Sequence, residues 1–181
     1  MPDNFGDHQV RDAAGADAWA IGEVHVSSTW TTYKGIFPDA VLHRFSVEER
    51  ARQWSERLGD SDPARVTIVG CDGAGRVVGF AAGGLERSGS LNCDGELYAI
   101  YLLHTEQRKG LGTLLVRRFA HELRSRGFGS MALWVLARNP ACRFYEALGG
   151  TCIAEKTVEF GQEPFVELAY GWRDLSVLAR S

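Results

Sequence analysis

The stretch that most constrains this chain is Gln107-Arg108-Lys109-Gly110-Leu111-Gly112, taken with its flanks. An apolar run, Leu97 to Leu103, precedes it, and an amphipathic stretch, Thr113 to Arg126, follows. A continuous apolar run of that length suits a strand covered on both faces. In the stretch that follows, Leu111, Leu115, Phe119 and Leu123 line one helical face, while Arg117, Arg118, Arg124 and Arg126 lie elsewhere. A strand therefore enters a glycine-bearing turn on which a helix begins. Such an element gathers free backbone N–H groups and the positive end of a helix dipole in one place, which suits a phosphate or pyrophosphate.

Spacing then sorts the phosphate motifs. A P-loop requires G-x-x-x-x-G-K-[ST], but Lys109 lies before the glycines and Thr113 directly follows one. A dinucleotide fingerprint requires G-x-G-x-x-G. Gly110 and Gly112 fit it, but Leu115 stands at the third glycine position. What remains is Q-x-x-G-x-G after a strand.

The chain has 181 residues, 45% hydrophobic and 24% charged, which fits one globular domain with its own core, spanning 1–181. A formal net charge of -3 gives no support to nucleic-acid binding, which draws on a basic surplus. No apolar run reaches the roughly 18 residues of a membrane span. The start, Met1 to Asp7, is polar and acidic, so it reads as a short flexible terminus rather than a signal peptide. Cys71, Cys93, Cys142 and Cys152 form neither C-x-x-C nor a zinc-like cluster. They read as reduced thiols of a cytoplasmic protein, with no metal implied.

Along the chain, His8–Arg11 predicts a first strand and Ala13–Val26 a helix. A loop from Ser27 to Pro38 carries Trp30, Tyr33 and Phe37. Ser46-Val47-Glu48-Glu49 is a capping box that opens a helix ending at Gly59. Two strands, Arg65–Cys71 and Arg76–Gly83, flank an Asp72–Gly75 turn. After the glycine-turn unit come a strand, Met131–Leu136, and a short helix opened by Asn139 as cap and Pro140 as first residue. Strands Thr151–Phe160 and Pro164–Tyr170 close the pattern across Gly161–Glu163, leaving a tail, 173–181. The order predicts an α/β (α+β) domain, a mixed and mostly antiparallel sheet of about seven strands flanked by about four helices.

Asn139-Pro140-Ala141-Cys142-Arg143-Phe144-Tyr145-Glu146-Ala147-Leu148-Gly149 is the second signal. It resembles the N-x-x-A/C-x-x-F-Y-x-x-x-G segment of GNAT N-acetyltransferases, and Gln107–Gly112 resembles their acyl-coenzyme-A signature. The element order is similar along about the whole chain. The resemblance implies acetyl-coenzyme A as co-substrate and acetyl transfer to a primary amine, small or on a peptide, by direct attack in a ternary complex. The alternative is an acyl-coenzyme-A sensor without turnover. The tail Trp172–Leu175 either extends the last strand or helps a homodimer form.

By the same resemblance, the backbone of Leu102 and Leu103 holds the pantetheine arm and polarises the acetyl carbonyl. Gln107, Arg108, Lys109, Gly110, Leu111, Gly112 and Thr113 bind the pyrophosphate, and Asn139 caps its helix or bonds the pantetheine. Tyr145 protonates the leaving thiolate, and Glu96 accepts the amine proton directly or through water. Helical spacing supports the role of Tyr145. Ala141, Phe144 and Leu148 form a stripe that should face the core, and Tyr145 lies about 100° past Phe144, at its border. Simple alternation puts Glu96, Tyr98, Ile100 and Leu102 on one strand face unless a bulge intervenes. Tyr98 and His104 are weaker candidates for the base. Cys142 has no base beside it in sequence and is not expected to be a nucleophile. Trp30, Tyr33 and Phe37 form either an aromatic wall for the acceptor or packing for their loop.

Overall fold

Among the described residues, eight strands form one sheet in the order β1-β2-β3-β4-β5-β6-β8-β7. The structure, a computed structural model, describes residues 3–5, 7–160 and 163–179. The strands are β1 (Asp3–Phe5), β2 (His8–Asp12), β3 (Val66–Cys71), β4 (Val77–Leu85), β5 (Gly95–Leu102), β6 (Met131–Leu136), β7 (Thr151–Phe160) and β8 (Glu163–Trp172). The helices are α1 (Ala18–Tyr33), α2 (Asp39–Leu42), α3 (Val47–Gly59), α4 (Leu111–Ser125) and α5 (Ala141–Ala147). Neighbouring strands run antiparallel except β5 and β6, which are parallel.

Two apolar layers hold the sheet. On one side Leu111, Leu115, Phe119 and Leu123 of α4 are fully buried against β3, β4 and β5, as their spacing predicts. On the other side Ile21 and Val24 of α1, with Trp54 of α3, pack on Val69, Phe80 and Ala82. The Ser46 hydroxyl accepts from Glu49 N–H at 3.1 Å, as the capping box requires.

Four expectations change. The helix expected to end at Val26 continues to Tyr33, into the segment read as a loop. Ser, Thr and Val are weak helix formers, so sequence gave no reason to extend it. Tertiary contact overrides that preference. Ser28 and Thr29 are buried, and the Thr29 hydroxyl donates to His25 O at 2.7 Å. Gly22 lets α1 approach α3, since a β-carbon there would stand 2.9 Å from Ala51 N. At the N-terminus Asp3–Phe5 pairs with β2, adding the eighth strand at a sheet edge. Of the tail, Trp172 extends the last strand by pairing with Met131, and the rest turns back on its own chain: Leu175–Ala179 is a 3-10 turn with Leu175 and Leu178 buried in the main core. The fifth helix is the single-turn α2. Gly161 and Gln162, expected to form the last turn, lie outside the described residues.

Two irregularities position the site. The register between β4 and β5 passes from Ala82–Ala99 to Gly83–Leu97, leaving Tyr98 as an extra bulged residue. Gly83 permits this, because a β-carbon there would lie 2.1 Å from Glu96 O. The β5–β6 ladder pairs Gly95 with Met131 and Glu96 with Ala132, both at the strand starts, and records no pair beyond. The strands diverge after that, so the sheet opens at their carboxyl ends. Open α/β sheets bind ligands at such crevices.

Candidate active site

The split is bounded first by the backbone of β5. Leu103 N–H donates to Val78 O at 2.9 Å, so Leu103 is bonded to β4. Bonded residues alternate along an antiparallel ladder, which turns the N–H groups of Ile100 and Leu102 toward the split. The carbonyl of Leu102 accepts the hydroxyl of Ser28 at 2.8 Å, which ties α1 to this edge. Leu103 was expected to share the backbone role, but its N–H serves β4 and its carbonyl accepts Glu106 N–H. It supplies a half-buried apolar side chain instead. By the same alternation Ile100, not Leu103, shares with Leu102 the orientation toward the split.

The glycine turn lies at the mouth of the split. A 3-10 turn, His104–Glu106, leads into Gln107, and α4 begins at Leu111 with no side chain capping it. Among the described residues, the N–H groups of Arg108 through Thr113 have no backbone partner, and the first α4 bond runs from Leu114 N to Gly110 O at 3.1 Å. Gly110 has φ +89°, a left-handed conformation open to glycine at little cost, and Arg108 has φ +61°. Gly112 has a different role. A β-carbon there would come within 3.3 Å of the Phe144 ring, so this glycine sets the approach of α4 to α5. Lys109 Nζ lies 3.2 Å from Glu106 Oε2, and that oxygen also meets His8 Nε2 at 2.9 Å. These partners, His8 first, hold the Glu106 carboxyl below its usual range. Arg108 is exposed. We expect Gly110→Ala to cost ~1–2 kcal/mol of stability by forcing a left-handed β-carbon. It should also weaken pyrophosphate binding, as read by urea denaturation and calorimetric titration.

Helix α5 forms the opposite edge. Asn139 Oδ1 accepts Ala141 N–H at 2.9 Å, the expected cap. The stripe Ala141, Phe144, Leu148 packs against the core as expected, but Tyr145, expected at its border, lies inside it. Tyr145 is its buried residue, at 6% exposure, while Ala141, Phe144 and Leu148 are half-buried. The reason is tertiary. The ring of Tyr145 packs among Phe144, Tyr170 and Trp172, with centroid distances of 5.3, 6.0 and 6.4 Å. Ala141, Cys142 and Phe144 instead border the core beside Ile100 and Leu102. Burial raises the Tyr145 phenol above its usual pKa, with the hydroxyls of Tyr101 and Cys142's thiol as its electrostatic neighbours. It is a protonated donor throughout the neutral range.

Glu96 is occupied. It is 2% exposed, and Arg87 holds it with its guanidinium, through Nε at 3.1 Å and through Nη2, and with its backbone N–H at 3.0 Å. Arg87 also stacks 4.2 Å from the ring centroid of Tyr98. The bulge changes its face as well. Ala99 and Tyr101 pack on the α1 side, while Leu97, Ile100 and Leu102 pack on the α4 side. Glu96 therefore does not share a face with Ile100 and Leu102. Tyr98 is equally engaged, its hydroxyl donating to Leu85 O at 2.5 Å. His104 is exposed at the turn.

Tyr101, which the sequence did not single out, lies at the centre of the site. Its ring stacks on His25 at 4.8 Å, and Tyr33's hydroxyl interacts with its own. His25 Nδ1 accepts the indole N–H of Trp54 at 3.3 Å, and burial lowers its pKa to about 4. A neutral His25 therefore carries its proton on Nε2, and its one lone pair is taken. Cys142 is a poor nucleophile: burial raises its thiol pKa, and Sγ donates to Leu136 O at 3.6 Å. The aromatic trio divides. Phe37 is buried against Phe165 and Tyr33, Trp30 meets His43 edge-on at 4.8 Å, and Tyr33 alone of the three interacts with Tyr101, through its hydroxyl.

A parallel pair split beside an uncapped glycine-turn helix, with a protonated phenol at its edge, is an architecture suited to acyl transfer. A family profile described as "FR47-like protein" matches residues 78–159, from β4 into β7. The chain is 39% identical over 169 residues to "Uncharacterized N-acetyltransferase YuaI" of Bacillus subtilis (strain 168), covering 93% of this chain and 95% of that protein. The chain belongs to the GNAT superfamily of N-acetyltransferases. Among solved structures, a putative acetyltransferase, yncA of Salmonella typhimurium, determined with acetyl-CoA, superposes with TM-score 0.67 at 24% identity, covering 94% of this chain and 95% of that one. The paia N-acetyltransferase of Thermoplasma acidophilum, in complex with coenzyme A, gives TM-score 0.64 at 17% identity, covering 89% and 97%. These two share the fold. No helix among the described residues is long and apolar enough to cross a membrane.

Proposed function

We propose that this chain transfers an acetyl group from acetyl-coenzyme A to a primary amine by direct attack in a ternary complex, in the cytoplasm. The observation that carries this reading is the split between β5 and β6, with unpaired N–H groups along one edge and at the α4 N-terminus. The residues present fit the co-substrate. The N–H groups of Arg108–Thr113 suit its pyrophosphate, with Gln107, Arg108 and Lys109 alongside. The N–H groups of Ile100 and Leu102 suit the pantetheine and the acetyl oxygen, where negative charge develops as the amine attacks. Asn139 stands by the same arm.

Tyr145 then protonates the departing thiolate. A raised phenol pKa alone makes a weaker acid, but the thiolate leaves in the same dry surroundings, which raise its proton affinity too. The unreactive Cys142 supports direct attack over an acyl-cysteine route. An amine with a reference pKa near ~10.4 must lose a proton first. Because Arg87 holds Glu96, we assign that proton to water in the cleft and give Glu96 a positioning role under β5.

Free-thiol release from acetyl-coenzyme A against a panel of primary amines tests the function. Tight coenzyme A binding with no turnover on any amine overturns it in favour of a sensor. In Glu96→Gln we expect the alkaline rise of rate with pH to keep its shape. A flattened rise returns the base role to Glu96.

A further inference from the structure

Beyond the split, the sheet face on the α1 side carries a row of residues in register. Lys156 on β7 pairs with Glu167 on β8, and Glu167 pairs with Leu136 on β6. Paired residues share a face, so this row leads from the outer hairpin to the lip of the split. Trp134 lies on the same face of β6, two residues before Leu136 in sequence. Lys156 Nζ sits 3.9 Å from the Trp134 ring centroid and 3.2 Å from Glu167 Oε2. The protein thus already holds an alkylammonium against an indole face and a carboxylate. The Glu167 side chain is 19% exposed and that of Lys156 43%, so the cation is the member more open to exchange with solvent. Tyr33, on α1, has its hydroxyl within electrostatic reach of Glu167, Tyr101 and Tyr145, which joins the row to the reacting end of the site. Phe37 and Phe165 bound the row on one side, and Leu91 and Cys93 pack with Trp134 on the other.

We propose that Trp134, Glu167 and Tyr33 form a subsite for a second ammonium of the acceptor, and that Lys156 fills it internally until the acceptor binds. The substrate class is then an aliphatic diamine or polyamine. One nitrogen attacks at the split while another, a few methylenes away, rests on Trp134 against Glu167. The reacting nitrogen is not the one held here, because Leu136 separates Glu167 from the split by one strand spacing, about 5 Å. An aromatic face and a carboxylate are a suitable pair for an ammonium, and a neutral alkyl tail would gain nothing from the charge. Lys156 competes for both partners. This subsite rests on the acetyl-transfer reading of the split.

The test compares 1,5-diaminopentane with n-pentylamine, of equal length but lacking the second charge. In Lys156→Met, where no internal cation competes, kcat/KM for the diamine should exceed that for the monoamine by roughly 10-fold, the product of a cation–π contact and a partly exposed ion pair, and in the wild-type protein the preference should be smaller. Glu167→Gln should lower the diamine value several-fold and leave the monoamine value nearly unchanged, whereas Lys156→Met should raise the diamine value. A purely structural ion pair would move both amines together, so equal loss on both overturns the subsite. Equal use of the two amines by Lys156→Met overturns it as well. Calorimetric binding of 1,5-diaminopentane with coenzyme A present supplies a readout without turnover. Binding that weakens in Glu167→Gln supports the subsite even where no acetyl moves, in which case only the transferase reading fails. Unchanged binding overturns the subsite.

Discussion

Tyr145→Phe should lower kcat by about 100-fold while coenzyme A affinity stays within a small factor of wild type, as removal of a general acid does. The substitution deletes one oxygen from a ring packed by Phe144, Tyr170 and Trp172, so packing is preserved and the change reports on the proton. The raised phenol pKa gives the effect a particular pH signature. The donor stays loaded through neutral and mildly alkaline pH, so the loss should be similar from pH 6 to 9, a range below the phenol's ordinary pKa of about 10. Steady-state kinetics across that range, with coenzyme A titrated separately, make the measurement. An unchanged kcat removes the proton-donor role. A large loss of coenzyme A affinity would show that the hydroxyl binds the co-substrate instead.

The second large effect is on stability. Arg87→Met should destabilise the fold by about 3 kcal/mol, because it strands a buried carboxylate. Glu96 keeps the backbone N–H of residue 87 as a partner, but it loses every guanidinium bond. The lower end of the range for broken buried pairs applies, since 61% of the Arg87 side chain is exposed and the carboxylate gains some access to water. The double variant Arg87→Met, Glu96→Gln should recover most of the loss, because its buried group is neutral. Urea denaturation gives both values, provided the slope with denaturant is unchanged. If the double variant is no more stable than the single one, packing of Arg87 on Tyr98, rather than the ion pair, carries the energy.

Several parts of the site could be read in the chain because their information is local. The residues from Gln107 to Gly112 mark a turn between a buried strand and an amphipathic helix, and the turn forms there with Gly110 left-handed. The stripe Leu111, Leu115, Phe119, Leu123 is buried as its spacing requires. Asn139 caps α5, and the Ser46 box caps α3. Each of these signals lies within a few residues, where turn chemistry and helical period act directly.

Other features depended on residues far apart in sequence. The extension of α1 to Tyr33 runs against local propensity and is held by burial of Ser28 and Thr29, the Ser28 bond to Leu102 O and packing of Trp30 and Tyr33 with Leu42, Leu136 and Phe165. The extra residue at Tyr98 turns Glu96 away from the face it would share by counting, and Arg87, from the preceding connection, takes its charge. Tyr145 lies inward rather than at a border because Tyr170 and Trp172 of β8 stand under it.

The sequence by itself determined a glycine-bearing turn, the helix it opens and the segment that carries Tyr145, since each is written in contiguous residues. Only the tertiary structure decided where the sheet splits, which backbone groups face the split, that Arg87 pairs with Glu96 and that Lys156 bridges Trp134 and Glu167 on the face beside it. Strand register, a bulge and the crossing of α1 set those relations, and all three are fixed by packing between residues that are distant along the chain.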